Sequence, residues 1–354
     1  MPAFDDAARA VVDVDAAAAT AAAARHDRLT KPPGSLGRLE AAGARLCAIA
    51  GTCPPPVPLP AAVAVFAGDH GVLAEGVTPW PREVTAQMVA NFCAGGAAVN
   101  VLARHVGASV TVVDVGVATE LPVGEARGLE RRNVRRGTAN LAAGPAMSAE
   151  EAARALDVGA EVAAGLVAGG ARCLLTGDMG IGNTTPSAAL VAALTGRPAA
   201  EVTGRGTGID DERLARKRAV VAAAAARVRG AAPLEVLASV GGLEIAALAG
   251  YVVGGAAARV PVVLDGVIAC AAALVADALV PACGGYLFAG HRSSEPGASV
   301  ALDHLGLEPL VDLDLRLGEG TGACLALPLL QAAAKVLTEM ATFDSAGVSG
   351  REGG

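Results

Sequence analysis

Residues 173–187, CLLTGDMGIGNTTPS, carry the clearest fold signal in the chain. Residues 173–175 are a short apolar run of the size of a buried strand. The run ends at Gly177-Asp178, and residues 177–187 form a glycine-rich turn before a helical stretch. Strand, glycine turn and helix in that order make up half of a βαβ unit. Glycines let a ligand approach the backbone, and the first turn of the helix carries unpaired N–H groups at the positive end of its dipole. Two readings fit: a cradle for a phosphate, or only a tight turn between strand and helix. The segment lacks the Gly-Lys-Ser/Thr ending of a Walker loop, and its glycines are not spaced as in a dinucleotide fingerprint.

The same pattern recurs on both sides. An apolar or β-branched run ends in Gly, Asp or Glu and a helical stretch follows. The runs are 62–66 before Gly68-Asp69-His70, 110–113 before Asp114, 236–240 before Gly241-Gly242, 262–264 before Asp265, 286–288 before His291, and 310–317 before Gly318-Glu319-Gly320. Alternating strands and helices imply right-handed crossovers and a mostly parallel sheet flanked by helices, a Rossmann-like three-layer α/β fold. Because each polar cluster follows its strand, all should gather along the carboxyl edge, where open α/β sheets bind ligands. Between strands, Ser148-Ala149-Glu150-Glu151 has capping-box spacing and predicts a helix over 149–167.

The two ends of the chain read differently. Residues 5–25 are Ala-rich and helical in propensity, and Lys31-Pro32-Pro33-Gly34-Ser35 breaks the chain before a second helix carrying Leu36, Leu39, Leu46 and Ile49. Residues 52–60, TCPPPVPLP, are too proline-dense for helix or central strand and serve as a linker. Residues 322–342 predict a long apolar helix that returns onto the N-terminal helices. The expected organisation is a small helical domain from 1–60 together with 330–354, and an α/β domain over 61–329.

Composition narrows the function classes. Apolar residues make up 53% of the 354 and aromatics only 2%, so the core is built from small aliphatic side chains, which suits helices on a parallel sheet. A net charge of −7 without a basic stripe argues against nucleic-acid binding. Arg131, Arg132, Arg135 and Arg136 read as a solvated loop. The seven cysteines are scattered and never form a CxxC pair, which points to free thiols in a reducing cytosol rather than disulfides or zinc. The acidic start lacks the basic region of a signal peptide, so a cytoplasmic location is expected. Residues 266–291 hold one charge, Asp277, and are long enough to span a bilayer. Pro281 and Gly284-Gly285 interrupt them, however, and His291-Arg292-Ser293-Ser294-Glu295 follows, so a buried helix and then a buried strand are expected, with no membrane.

Candidate chemistry sits at the strand ends. Residues 203–211, TGRGTGIDD, precede a helix with Arg213, Arg216, Lys217 and Arg218. These cations fit either a phosphate or a solvated helix face, with one of them reaching the site. Glu319, between two glycines, is unshielded and suited to removing a proton if apolar surroundings raise its pKa; the alternative is a plain turn residue. Asp69-His70, Asp178, Asp265 and Ser293-Ser294-Glu295 are further strand-end polar groups. The five histidines show no HxH or HExxH spacing, so no metal is expected, and no GxSxG elbow marks a nucleophile.

Taken in order, these motifs resemble the nicotinate-nucleotide:dimethylbenzimidazole phosphoribosyltransferases. The resemblance runs from Lys31 to Ser349 through KPPGSLGRLE (31–40), AGDHGVLAEGVTPWPREVTAQMV (67–89), GDMGIGNTTPSAAL (177–190), GRGTGID (204–210), GGLEIAALAG (241–250), LDGVIA (264–269), GHRSSEPG (290–297), LDLRLGEGTGACLALPLL (313–330) and MATFDSAGVS (340–349). It implies transfer of phosphoribose from nicotinate mononucleotide to 5,6-dimethylbenzimidazole with inversion, no metal or other cofactor, and Glu319 as general base. Phosphate and ribose contacts would fall on Asp178, Gly180, Ile181, Gly182, Asn183 and Thr184, on Gly204 and Gly206, and on Lys217. Benzimidazole contacts would come from Thr78 and Gln87, nicotinate contacts from Ser293, and Asp265 and Gly320 complete the substrate-binding set. The family's homodimers would let residues 31–36 complete a neighbour's site. Two departures stand out: Asp178 replaces the Glu of many relatives, and Trp80 lies in the segment expected to hold the base. Rival readings are a phosphoribosyltransferase for another base, such as adenine or a phenol, and a nucleotide-binding protein without catalysis.

Overall fold

The computed structural model describes residues 2–124 and 126–349. Seven parallel strands form one sheet: β1 Ala61–Gly68, β2 Ala108–Gly116, β3 Leu129–Arg131, β4 Cys173–Met179, β5 Val262–Leu264, β6 Leu287–His291 and β7 Pro309–Val311. Their order is β3-β2-β1-β4-β5-β6-β7. The chain runs outward from β1 to β3, returns to β4 beside β1, and continues the other way. That reversal leaves a crevice outside the carboxyl ends of β1 and β4, the usual ligand position in such sheets. The register pairs Phe66 with Asp178 and Ala67 with Met179, so Asp69-His70 and the Gly177–Gly182 turn emerge side by side.

The core uses the small side chains that the composition supplies. Every residue of β1 is buried, and helices cover both faces. The most extensive helix packing is that of Ala149–Ala168 against Leu243–Ala257. Glycine makes this approach possible, since a Cβ on Gly159 would lie 1.8 Å from the Ala247 carbonyl oxygen and one on Gly250 would lie 2.0 Å from that of Leu156. The first of these helices starts where its capping box predicts: Glu151 N donates to Ser148 Oγ (3.1 Å) and Ser148 N donates to Glu151 Oε2 (2.8 Å). Residues 266–291 divide into the buried helix Val267–Leu279, the 3-10 turn Pro281–Tyr286 and β6.

Three expectations need correction. Residues 236–240 are the end of a helix, Pro233–Val240, rather than a strand. Pro233 pre-sets its first turn, and all five residues are buried, so the run is apolar for a reason unrelated to strand pairing. The seventh strand is instead β3, three residues on the sheet edge that include Arg131. The arginine cluster is therefore partly strand, and three of its four guanidiniums are engaged: Arg131 binds the Val123 carbonyl, Arg132 pairs with Glu161, and Arg135 pairs with Glu151. Of 310–317, only the start joins β7. The acids Asp312 and Asp314 alternate along the rest, which leaves the sheet and carries exposed Leu313 and Leu317 over the carboxyl edge.

The Ala-rich start forms two helices, Ala3–Ala10 and Ala16–Arg28. Asp15 opens the second by accepting from Ala17 N (2.8 Å) and Ala18 N (3.0 Å). The first packs on Ala149–Ala168 and Leu243–Ala257. The second packs on Arg38–Ala50, and Ala18, Ala22, Cys47 and Leu337 form a small apolar cluster of their own. Leu337 belongs to the long helix Thr321–Glu339.

Candidate active site

Glu319 occupies an unusual backbone position. Gly318, Glu319 and Gly320 are consecutive residues with φ of 85°, 65° and 100°, and a left-handed conformation is disfavoured for a side chain with a Cβ. Glu319 is only 6% exposed, and its Oε2 accepts from Val99 N (3.3 Å) in the first turn of the helix Ala98–Val106. Burial raises its pKa above the ordinary carboxylate value; the Val99 hydrogen bond opposes the shift, and the charge of Asp265 adds to it. The result is a carboxylate poised to accept a proton.

Asp178, at the end of β4, is buried and accepts from Asn183 Nδ2 (2.9 Å) through Oδ2. Burial, followed by the charge of Asp265, pushes its pKa well above the ordinary value, with Asn183 opposing. Asn183 opens the helix Thr184–Thr195, and Thr85 Oγ1 fixes the turn from outside by accepting from Ile181 N (3.1 Å). A Cβ on Gly180 would lie 2.3 Å from the Gly68 carbonyl oxygen, so glycine there lets the turn fold against the end of β1.

Of the four cations on the helix Asp211–Arg227 expected near phosphate, Lys217 turns inward. Arg213 pairs with Asp210 and Arg216 with Glu212 on the outer face. Lys217 Nζ donates to Thr184 Oγ1 (2.9 Å) and to the Gly204 carbonyl (3.0 Å), joining the two glycine-rich segments. Burial lowers its pKa to about 8, with Glu295 opposing. Glu295 Oε1 accepts from Gly206 N (2.7 Å), and Arg316 Nη1 donates to Gly206 O (3.1 Å). The 204–208 loop is thus held from three sides.

Two adjoining clefts share Asn183, Thr184, Gly206 and Thr207. Thr78, Trp80, Gly180, Ile181, Gly182 and Lys217 line one of them. Asp178, Ser293, Glu295, His291, Arg316 and Gly318 line the other, with Glu319 next in sequence. Of the remaining expected contacts, Gln87 is exposed on the helix Glu83–Ala94 and lines neither cleft, Gly204 and Gly320 are buried behind the clefts, and Asp265 is turned into the Glu319 loop. Among the described residues, no group of three or more His, Cys, Asp or Glu side chains could hold a metal ion.

A family model described as a phosphoribosyltransferase matches residues 11–348. The chain belongs to this family. It is similar to the nicotinate-nucleotide–dimethylbenzimidazole phosphoribosyltransferase of Salinispora tropica, at 58% identity over 96% of this chain and 97% of that protein. It is also 56% identical to the protein of that name from Chloroflexus aggregans, over 95% of each. The crystal structure of CobT from Thermus thermophilus superposes with a TM-score of 0.91 at 54% identity, covering 94% of this chain and 99% of that one.

In this phosphoribosyltransferase several contacts at the site were not visible from the residues alone, and His70 stood out only as a strand-end polar group without its partner. Fully buried His70 and Glu244 form an ion pair, Nε2 to Oε1 at 2.8 Å, across 174 residues. Burial pushes the His70 imidazole down, but the charge and hydrogen bond of Glu244 outweigh it and leave the pKa raised. The pair underpins the crevice, since Cβ atoms on Gly180 and Gly242 would lie 3.2 Å and 2.5 Å from the His70 ring. Thr176, Arg316 and the Val99 amide were also missed. None lies in a motif with its partner, so only the folded arrangement reveals them.

Proposed function

We propose that the chain transfers the phosphoribosyl group of nicotinate mononucleotide to 5,6-dimethylbenzimidazole, releasing nicotinate and α-ribazole 5′-phosphate with inversion at the anomeric carbon. The observation that carries this reading is Glu319, a buried carboxylate of raised pKa at a sheet edge that also presents two glycine-rich segments joined by Lys217. The phosphate is taken by the turn at 180–184 with the Lys217 ammonium, which the 204–206 segment holds in place, an arrangement suited to an anion. Nicotinate leaves a pyridinium ribotide as a neutral pyridine, so its departure needs no proton. The attacking base must lose one: its unprotonated ring nitrogen bonds to the anomeric carbon as Glu319 takes the proton from the other ring N–H. Fixing both reactants in one crevice supplies much of the acceleration.

We assign Ser293 to the nicotinate side and Thr78 to the base, with Trp80, which lines the same cleft as Thr78, shaping the base preference. The proposed setting is cytoplasmic, with no metal, nucleic-acid or membrane partner. A homodimer is supported by exposed Leu313 and Leu317 beside the crevice and by the exposed residues 32–35. Light scattering measures that directly, and a monomer at working concentration would count against it. The activity itself is tested by mixing the protein with nicotinate mononucleotide and dimethylbenzimidazole and resolving the products by chromatography with mass detection. The reading expects both products in equal amounts. Nicotinate release only with adenine or a phenol would change the substrate, and no turnover with any base would leave a binding protein.

A further inference from the structure

The Glu319 loop cannot hold itself. Three consecutive left-handed residues, one with a side chain, need an outside restraint. The following helix, Thr321–Glu339, has Gly320 as its N-cap and therefore no side chain of its own to take the first amides. Asp265, 54 residues before Glu319 at the end of β5, fills both needs. Its Oδ2 accepts from Gly320 N (2.9 Å), and its Oδ1 accepts from Gly322 N (2.7 Å) and Ala323 N (3.1 Å). Asp265 is anchored in turn, because its own N donates to Thr176 Oγ1 (2.9 Å), which donates to the Val263 carbonyl (3.2 Å). On the far side, β4 backs the loop so closely that a Cβ on Gly177 would lie 2.5 Å from the Glu319 carbonyl oxygen. His291 Nε2 lies 3.6 Å from Asp265 Oδ1.

We propose that Asp265 is a positioning residue rather than a substrate contact: by gripping the amides of Gly320, Gly322 and Ala323, it holds Glu319 in its left-handed conformation and aims the carboxylate at the crevice. Asp265 is almost fully buried and both of its oxygens are taken. The inference rests on Glu319 being the general base. A neutral amide at 265 keeps the shape but puts an NH2 where a backbone N–H now points, so either the Gly320 bond or the Gly322–Ala323 pair is lost.

The test is a double-mutant cycle on the full chain with nicotinate mononucleotide and dimethylbenzimidazole. Asp265→Asn should lower kcat by about 10²-fold, the effect of misplacing a reacting group by roughly 1 Å, while KM for nicotinate mononucleotide stays within about twofold. Asp265→Asn/Glu319→Gln should be no slower than Glu319→Gln alone, because a residue acting through Glu319 has nothing left to position. Multiplying losses, or wild-type kcat in Asp265→Asn, would overturn the proposal. Wild-type turnover in Glu319→Gln would instead remove the base itself, whatever Asp265 does. If Asp265→Asn does not fold, Thr176→Val takes its place by removing the anchor of Asp265. A lower kcat with unchanged KM and no further loss on Glu319→Gln supports the proposal, and wild-type kcat overturns it.

Discussion

Replacing Glu319 by glycine should abolish the reaction and yet leave a more stable protein than replacing it by alanine. Both substitutions remove the carboxylate and its bond from Val99 N, so those losses cancel in the comparison. What differs is the Cβ at a residue with φ of 65°. A left-handed conformation costs an L-residue about 1–2 kcal/mol. Glycine escapes that cost but forfeits about 0.5–1 kcal/mol through its freer unfolded chain. The difference leaves Glu319→Gly ahead of Glu319→Ala by about 0–1.5 kcal/mol, whereas glycine in an ordinary helix or strand interior trails alanine by about 0.5–1 kcal/mol. Urea denaturation of the two variants, followed by circular dichroism and compared at equal slope, reads the order. Alanine more stable than glycine would refute the claim that Glu319 is held against its backbone preference. Turnover in either variant near that of the wild type would refute its role as base.

Further predictions concern pH and packing. Because burial raises the Glu319 pKa in the free enzyme and the base must be deprotonated, kcat/KM should rise through a limb above the ordinary carboxylate range; a pH profile of kcat/KM with the limb at or below that range would count against the assignment. The Lys217 pKa, lowered to about 8, means that the free enzyme loses the ammonium as pH passes 8. KM for nicotinate mononucleotide should then climb above that pH, and Lys217→Met should have a high KM with no such climb. Gly159→Ala places a methyl 1.8 Å from the Ala247 carbonyl oxygen, so denaturation should show a loss of about 1–3 kcal/mol, as overpacked cores do; undiminished stability would mean that the helices separate freely. Trp80 is 49% exposed, so Trp80→Ala should change stability by less than about 0.5 kcal/mol while shifting KM for the base. An unchanged KM would remove Trp80 from the base cleft.

Legibility in the sequence followed physical range. Strands such as β1 and β4 announce themselves because a buried parallel strand must be a short apolar run, and the polar residue after it must leave the sheet. The same rule misled at 236–240, where the last turn of a helix is buried all round and so reads like a buried strand, and it missed β3, an edge strand with no apolar run of its own. Glu319 was visible because its flanking glycines are local to it. Lys217 could not be separated from Arg213, Arg216 and Arg218 by residue type, since only the helix rotation decides which cation turns inward. Asp265 was legible as a polar group at the sheet edge, but not as the cap of a distant helix, because the amides it binds belong to another segment. The His70–Glu244 pair was hidden for the same reason.

The most direct measurement is the steady-state rate of nicotinate release by the wild type and Glu319→Gln with dimethylbenzimidazole as acceptor, alongside the affinity of each for nicotinate mononucleotide. With Glu319 as base, the rate falls by about 10²-fold or more while nucleotide affinity is nearly unchanged. An undiminished rate, or a loss that lies wholly in nucleotide affinity, would contradict it.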